Sequence, residues 1–324
     1  MSYSNEMYSK AERILEKRRE KALSDADIRS EKIKAQLPEI DNIQRQLYDI
    51  GFEVSQLFLY KGDREAKVKE LHERSNALVA KKSTILVSNG YSGDALKPEF
   101  TCSACEDKGY INNRRCACHV QVLKDLMREE VNRFAPLSDC TFENFSLDYY
   151  SDRPDSDGIV PSQRAEKILE ASRRFAQNFS LGSKNLLFLG STGLGKTHLS
   201  LAIANVVINR GYSVCYGTSH NICTDLRSEQ FGRDENLTYP TSKVMNADLL
   251  ILDDLGTEVD NPYNIATIYN IINQRILSKR PTVISTNYDF DELLDKYDQR
   301  ITSRLTGEFV QLCLVGSDIR QKKN

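Results

Sequence analysis

The sequence predicts an α/β protein, a parallel sheet between helices, preceded by an α-helical region and a small cysteine-rich module. Three observations carry that reading. First, from about residue 163 onward, short continuous apolar runs alternate with longer amphipathic ones, the pattern of strands buried on both faces and covered by helices. Second, Gly190, Ser191, Thr192, Gly193, Leu194, Gly195, Lys196 and Thr197 spell G-x-x-x-x-G-K-[ST] between a strand-like run, residues 185–189, and a helix-like run, residues 199–207. Third, the apolar run Leu249 to Leu252 ends in Asp253 and Asp254, about fifty residues further on.

The chain's 324 residues are enough for about two domains, each with a core of its own. A net charge of −2 gives no global electrostatic case for nucleic acid, so a DNA-binding surface has to be local. No run approaches the apolar length of a membrane span and the first residues lack a signal layout, so a cytoplasmic protein is expected. In that compartment the eight cysteines read as ligands or core residues rather than disulfides.

Residues 1–98 read as α-helical. Residues 4–36 are rich in Ala, Glu, Lys and Arg, with Met7, Ala11, Ile14 and Leu15 apolar, which predicts an exposed helix. Pro38 opens a second helix whose Ile40, Ile43, Leu47, Ile50, Val54 and Leu57 recur at alternating three and four spacing, the narrow seam one helix shows to another. Asp63 is placed to cap a third helix, where Val68, Leu71, Leu78 and Ile85 repeat the seam weakly. Such a seam fits a hairpin that packs on itself and a partner-binding surface equally.

Residues 99–135 form the cysteine-rich module. Cys102 and Cys105 are followed, after ten residues, by Cys116 and Cys118. Two close pairs across a polar hairpin containing Gly109 can converge four thiolates on one Zn²⁺. Four soft ligands leave no open position, so the expected site is structural and its metal contributes folding energy to a module with little core. Because Cys-x-Cys is tighter than Cys-x-x-Cys, His119 is an alternative ligand to Cys118. A redox dithiol, an iron–sulfur site and unligated thiols are the alternatives to zinc. Cys140, Cys215, Cys223 and Cys313 read as core or incidental residues.

The third region, residues 136–324, opens after a short helix at 120–134, with Pro136 and the polar run 148–161 marking a junction. A helix at 163–179, the strand 185–189 and its helix, a strand at 212–216, a helix at 221–230 and a strand at 248–254 follow. A helix at 264–277, a strand at 282–287, a helix at 290–306 and a strand at 309–314 complete the set. Backbone N–H groups of 190–197 can wrap a phosphate, because glycines curl without Cβ clashes and the next helix N-terminus adds positive potential. Lys196 would neutralise the β/γ-phosphates and the Thr197 hydroxyl would sit on Mg²⁺. Asp253 would hold the same ion from the sheet edge, and Asp254 would orient or deprotonate a water. Asn287, ending Ser285-Thr286-Asn287, can hydrogen-bond water and γ-phosphate, or simply start a turn. Arg300 and Arg304 lie four apart on one helical face, either as surface charges or as guanidinium groups supplied across a subunit interface. Arg227, Phe231 and Arg233 combine charge with an aromatic, a weak pattern for single-stranded DNA.

The order Gly190–Thr197, Asp253–Asp254, Asn287, Arg300/Arg304 resembles the AAA+ ATPases of the initiator and helicase-loader branch. Within it the sequence looks like the DnaC/DnaI-type loaders of the bacterial replicative helicase, with IstB-type transposition helper ATPases as near relatives. The likeness runs from Thr141-Phe-Glu-Asn-Phe145 to the C-terminus, and the helices and zinc module resemble, less specifically, the helicase-binding part of DnaI-type loaders. It implies an AAA+ P-loop core in which Gly190 to Thr197, with His198, bind ATP, Lys196 and Thr197 being Walker A. Asp253 and Asp254 become Walker B, Asn287 sensor 1, Arg304 the arginine finger with Arg300 its neighbour, and Arg320 a sensor-2-like arginine. Many relatives carry Glu where this chain has Asp254, and the sequence ends four residues after Arg320, so no helical lid is expected. The resemblance further implies ATP, Mg²⁺ and Zn²⁺ as cofactors. The partners it implies are single-stranded DNA and a hexameric replicative helicase, with self-association in a ring or spiral on the helicase and no membrane. ATP-dependent loading of that helicase onto single-stranded DNA at replication initiation is the expected function. One rival, an IstB-type transposition helper, has no need of the extra hundred-odd residues. A second, a small-molecule kinase, needs an acceptor pocket and lid arginines that the sequence does not display.

Overall fold

The computed structural model describes residues 3–60, 62–232 and 237–319. The chain divides into two compact units, Glu12–His119 and Met1–Ala11 with Val120–Asn324. Among the described residues no helix is long and apolar enough to cross a membrane.

The N-terminal helices are α1 (Asn5–Gln36), α2 (Pro38–Ser55) and α3 (Arg64–Ser88). Pro38 occupies the first turn of α2, where its missing N–H costs nothing, and the Asp63 carboxylate caps α3 by accepting the Glu65 and Ala66 N–H groups. The exposed helix expected at residues 4–36 is corrected: α1 buries the stripe Met7, Ala11, Leu15, Ala22, Ala26 and Ile33. Alanines at several of those positions carry little hydropathy, so the charged majority hid the period. The seam of α2 is buried at Ile40, Ile43 and Ile50 and then lost, since Val54 is exposed; on α3 Leu71 and Leu86 are buried and Val68 is not. A small core of Ile33, Ile40, Leu86 and Ala95 holds the base of these helices. Beyond it Tyr48, Phe52, Phe58 and Tyr60 stand exposed, Tyr48 at 77% and Phe58 at 70%.

A two-residue-turn hairpin follows, β1 (Tyr110–Ile111) against β2 (Arg114–Arg115). Asn112 and Asn113 both take positive φ, 48° and 61°, the backbone that a tight hairpin with native twist demands. It is followed by α4 (Ala117–Asn132).

The larger unit continues with α5 (Pro161–Gln177), β3 (Asn185–Leu189), α6 (Lys196–Asn209), β4 (Val214–Thr218), α7 (Ser219–Gln230) and α8 (Thr241–Asn246). Then come β5 (Leu249–Leu255), α9 (Pro262–Leu277), β6 (Thr282–Thr286), α10 (Phe290–Lys296), α11 (Gln299–Glu308) and β7 (Phe309–Cys313). The strands form one parallel sheet in the order β4-β5-β6-β3-β7. Successive residues of a strand face opposite sides, so Leu187, Leu189, Leu250, Leu252 and Ile284 join one core with α7, α9, α10 and α11. The intervening residues, among them Leu186, Phe188 and Ile251, face the other layer, where α6 lies against β4, β5 and β6 and α5 packs on α6. This is the α/β class read from the sequence. One difference is that the single helix expected at 290–306 is broken in two. Tyr297 ends α10 and the Asp298 side chain, accepting the Arg300 and Ile301 N–H groups, starts α11.

Candidate functional site

In the sheet order β6 separates β3 from β5. The C-terminal ends of all three strands therefore face one edge, and the residue that follows β6 stands between the loop after β3 and the carboxylates that end β5.

The loop after β3 is a tight cradle. A side chain at Gly193 (φ 80°) would place a Cβ 1.8 Å from the Asp318 carboxylate, and one at Gly195 (φ 84°) would meet the Phe145 ring at 2.7 Å. Only glycine fits that curl at both places. The loop is braced from outside: Tyr150 donates its hydroxyl to Leu194 O (2.8 Å) and the Ile319 N–H bonds Gly193 O (3.1 Å). His198 turns to the Thr141-to-Phe145 segment, with Nε2 2.7 Å from Thr141 O and its ring edge-on to Phe145 at 5.5 Å. Ser191 and Thr192 form the exposed crest.

Lys196 is buried and its ammonium donates to Gly190 O (2.5 Å), Ser191 O (2.8 Å) and the Asn287 side-chain oxygen (2.7 Å). Asn287 thus reaches the same point as Lys196, as the position of β6 requires. Thr197 Oγ1 donates to Asp253, 3.0 Å from one carboxylate oxygen and 3.3 Å from the other. A hydroxyl and a carboxylate this close, at the mouth of a phosphate-type loop, are the oxygen donors that suit Mg²⁺.

Asp253 is held by two further side chains that sequence reasoning did not assign, Tyr216 OH at 2.8 Å and Ser285 Oγ. Burial, reinforced by the Asp253 charge, pushes the Tyr216 phenol well above its usual pKa, so it stays a donor. A Tyr and a Ser inside otherwise apolar strands are the signal that could have singled both out. The pairing of β5 with β6 shifts between Leu252 and Leu255, and within that irregularity Asp254 takes φ 52°. A bulge of this kind re-aims a side chain. Ser285 Oγ also accepts the Asp254 N–H at 3.0 Å.

The two arginines stand apart from these groups. Arg304 donates to Asn273 Oδ1 (3.0 Å), Tyr269 OH (3.1 Å) and Arg300 O (2.9 Å), and its guanidinium lies 4.7 Å from the Tyr269 ring centre. Arg300 pairs with Asp298, whose carboxyl is held below its ordinary pKa chiefly by that hydrogen bond. Arg227 lies over the Tyr263 ring at 5.9 Å, and the exposed Phe231 has its centroid 6.4 Å from the same ring. Arg233 and Arg320 lie outside the described residues.

In the smaller unit Cys102, Cys105, Cys116 and Cys118 place their sulfurs within 4.8 Å of one another. Sulfur separations of 3.7 Å (Cys102–Cys116) and 3.4 Å (Cys105–Cys118) approach the ~3.8 Å edge of a tetrahedron with Zn–S bonds of about 2.3 Å. The loop between the pairs is built to hold them. The buried Asp107 carboxylate accepts the Thr101 and Cys102 N–H groups, and the Gly109 N–H points at Cys105 Sγ (3.3 Å). The Cys105 backbone N–H lowers the Cys102 thiol to about 7, whereas burial and the neighbouring sulfurs drive Cys118 upward. Four thiolates need a cation between them, and the donor set fits Zn²⁺. His119 is outside the group, buried with its ring edge-on to Tyr110 at 5.1 Å, so the cluster contains Cys118 rather than its neighbour.

An α/β domain with a phosphate-type loop beside a hydroxyl, a carboxylate and an amide is what this geometry defines. Residues 165–315 match the family described as IstB-like ATP binding protein. The chain is homologous to the replicative helicase loader DnaC of Buchnera aphidicola subsp. Baizongia pistaciae, 29% identical over 168 residues that cover 51% of this chain and 63% of the relative. It is likewise homologous to the replicative helicase loader DnaC of Escherichia coli K12, 27% identical over 166 residues covering 51% and 62%. The chain therefore spans just under two thirds of the length of the curated relatives it matches. Among solved structures it is similar to a crystal structure of the DnaC helicase loader (27% identity, TM-score 0.42, 54% of this chain and 98% of that one). It is also similar to a crystal structure of DnaI (23%, 0.41, 57% and 93%).

Proposed function

We propose that the chain is an ATP-dependent loader of the replicative DNA helicase, acting in the cytoplasm at replication initiation. The observation that carries this reading is the division of the site. Lys196, Thr197, Asp253 and Asn287 converge in one chain, while Arg304 is held elsewhere, on α11 by Tyr269 and Asn273. A site with no guanidinium in cis among the described residues is completed by a second copy, so hydrolysis reports assembly.

In this reading Gly190 to Lys196 enclose the phosphates of ATP, and Mg²⁺, when bound to Thr197 and Asp253, neutralises charge on the β/γ-oxygens. Asp254 accepts a proton from the attacking water, whose oxygen bonds to the γ-phosphorus as the bond to the ADP oxygen breaks. Asn287 orients that water, and Arg304 of the neighbouring copy, with Arg300 beside it, faces the phosphate from outside.

We assign residues 1–98 and the module at 99–135, with its Zn²⁺, to the helicase, and residues 136–324 to the ATPase. The exposed Tyr48, Phe52, Phe58 and Tyr60 support a partner surface there, since a monomer gains nothing by leaving four aromatics in water. Single-stranded DNA is assigned to the Arg227, Phe231 and Tyr263 surface, where charge and rings adjoin. The names of the DnaC relatives support the loader reading. The IstB-like family match supports a second one, a transposition helper, which leaves the unit of residues 12–119 without a task.

The two separate in one experiment: capture of the full-length chain, with ATP, on a hexameric replicative helicase and on an insertion-sequence transposase. Retention by the helicase, weakened about tenfold or more by Phe52→Ala with Phe58→Ala, is the expected result. Retention by the transposase alone overturns the loader reading.

A further inference from the structure

The turn after β5 contains a buried carboxylate that the nucleotide site does not use. Glu258 is 4% exposed. Its carboxylate accepts the Ser219 hydroxyl (2.6 Å), the Gly256 N–H (3.1 Å) and the Tyr297 hydroxyl. Among the described residues no cationic side chain reaches it; Lys196 and the arginines are engaged elsewhere, and Lys296 meets only its backbone oxygen, at 3.4 Å. A buried carboxyl group met by neutral donors alone is an expensive way to fill space. What its partners do gives the reason for it.

On one side those partners grip Asp254. The single Ser219 hydroxyl proton is shared between Glu258 and Asp254 O, 2.9 Å away, and the same carbonyl accepts the Thr257 N–H (3.2 Å) and hydroxyl (2.9 Å). Asp254 has φ 52°, a left-handed backbone that a non-glycine residue keeps only when its surroundings over-determine it. Glu258 supplies that constraint by fixing Ser219 and the Gly256 peptide at once. On the other side Tyr297, fully buried, forms the corner between α10 and α11, and Asp298 next to it caps the helix that carries Arg300 and Arg304.

We propose that Glu258 is a positioning residue that sets the backbone of Asp254 and the α10–α11 corner in one register. The water-facing carboxylate of one site and the arginines offered to the next are thereby coupled within a single chain. This rests on the ATPase reading above.

The test uses the full-length protein assembled on its helicase. Glu258→Gln keeps the shape but turns an NH₂ toward donors, so at least one of the three loses its acceptor. The expected result is kcat lower by roughly tenfold to a hundredfold, with ATP affinity within about twofold and Tm within about 4 °C. Wild-type kcat in this variant, or losses of affinity and Tm in step with kcat, overturns the proposal. Coupling to α11 is read in mixtures. Arg304→Ala is rescued by Lys196→Ala as arginine donor, and the Lys196→Ala/Glu258→Gln double variant rescues it less; equal rescue overturns the coupling. Should Glu258→Gln not fold, Tyr297→Phe removes only a hydroxyl, and an unchanged kcat there overturns the link. A wild-type protein that binds ATP yet does not hydrolyse it overturns the ATPase reading, and this inference with it.

Discussion

The two units of this chain reach order by opposite means. In the larger one a five-stranded sheet is buried between helical layers, and its core contains Leu187, Leu250, Ile268, Ile284 and Leu305 at 0% exposure. In Glu12–His119 the comparable cluster is small, Ile33, Ile40, Leu86 and Ala95, and the segment between α3 and α4 is organised by four sulfurs and one buried carboxylate. The larger unit tolerates a left-handed residue such as Asp254, because the sheet around it is over-determined. The second leaves its aromatics exposed and, if the four sulfurs hold the proposed Zn²⁺, draws local order from ligation.

Metal removal is the strongest way to break that comparison. A structural zinc in a small module is worth about 10 kcal/mol in apparent folding free energy. A chelator, or Cys102→Ser, is expected to release stoichiometric zinc and abolish amide-exchange protection around residues 100–119, with ATP binding by the larger unit retained. Protection that survives loss of the metal would mean the cysteines are incidental. A smaller effect, confined to the other unit, comes from Arg304→Ala and Lys196→Ala. Each is expected to lower kcat about a thousandfold, equivalent to about 4 kcal/mol, with zinc content unchanged. Mixing the two regains activity if Arg304 acts on a neighbour; co-assembly without regain removes that role. The smallest is Asp298→Ala, which deletes the α11 cap and should cost about 1 kcal/mol, seen as a Tm shift of about 2–4 °C in the larger unit alone. A shift in zinc release as well would show that the units are not energetically separate.

Most strands were legible because a buried parallel strand is a continuous apolar run with polar ends, and the errors are at those ends: residues 212–216 were expected where Val214–Thr218 forms. Lys196, Thr197, Asp253 and Asn287 could be grouped from sequence because each follows such a run. Strand order was not legible, since nothing in the sequence says that β6 enters between β3 and β5. Nor was the bulge at Asp253–Asp254, which arises from pairing with β6 rather than from the residues themselves. Tyr216, Ser285, Ser219 and Glu258 went unassigned for the same reason: their partners are 31 to 39 residues away along the chain. The choice between Cys118 and His119 was open in sequence because the two are adjacent; in the structure the Cys118 sulfur, 3.4 Å from that of Cys105, is the one grouped with the other three.

The strand order also has a temporal meaning. β3, which launches the phosphate loop, pairs only with β6 and β7, the last two strands of the sheet to be synthesised. A ribosome adding about 5–20 residues per second needs on the order of 10 s to travel from β3 to β7. During translation, therefore, the loop after β3 gains both of its strand's neighbours only once β7 has been made.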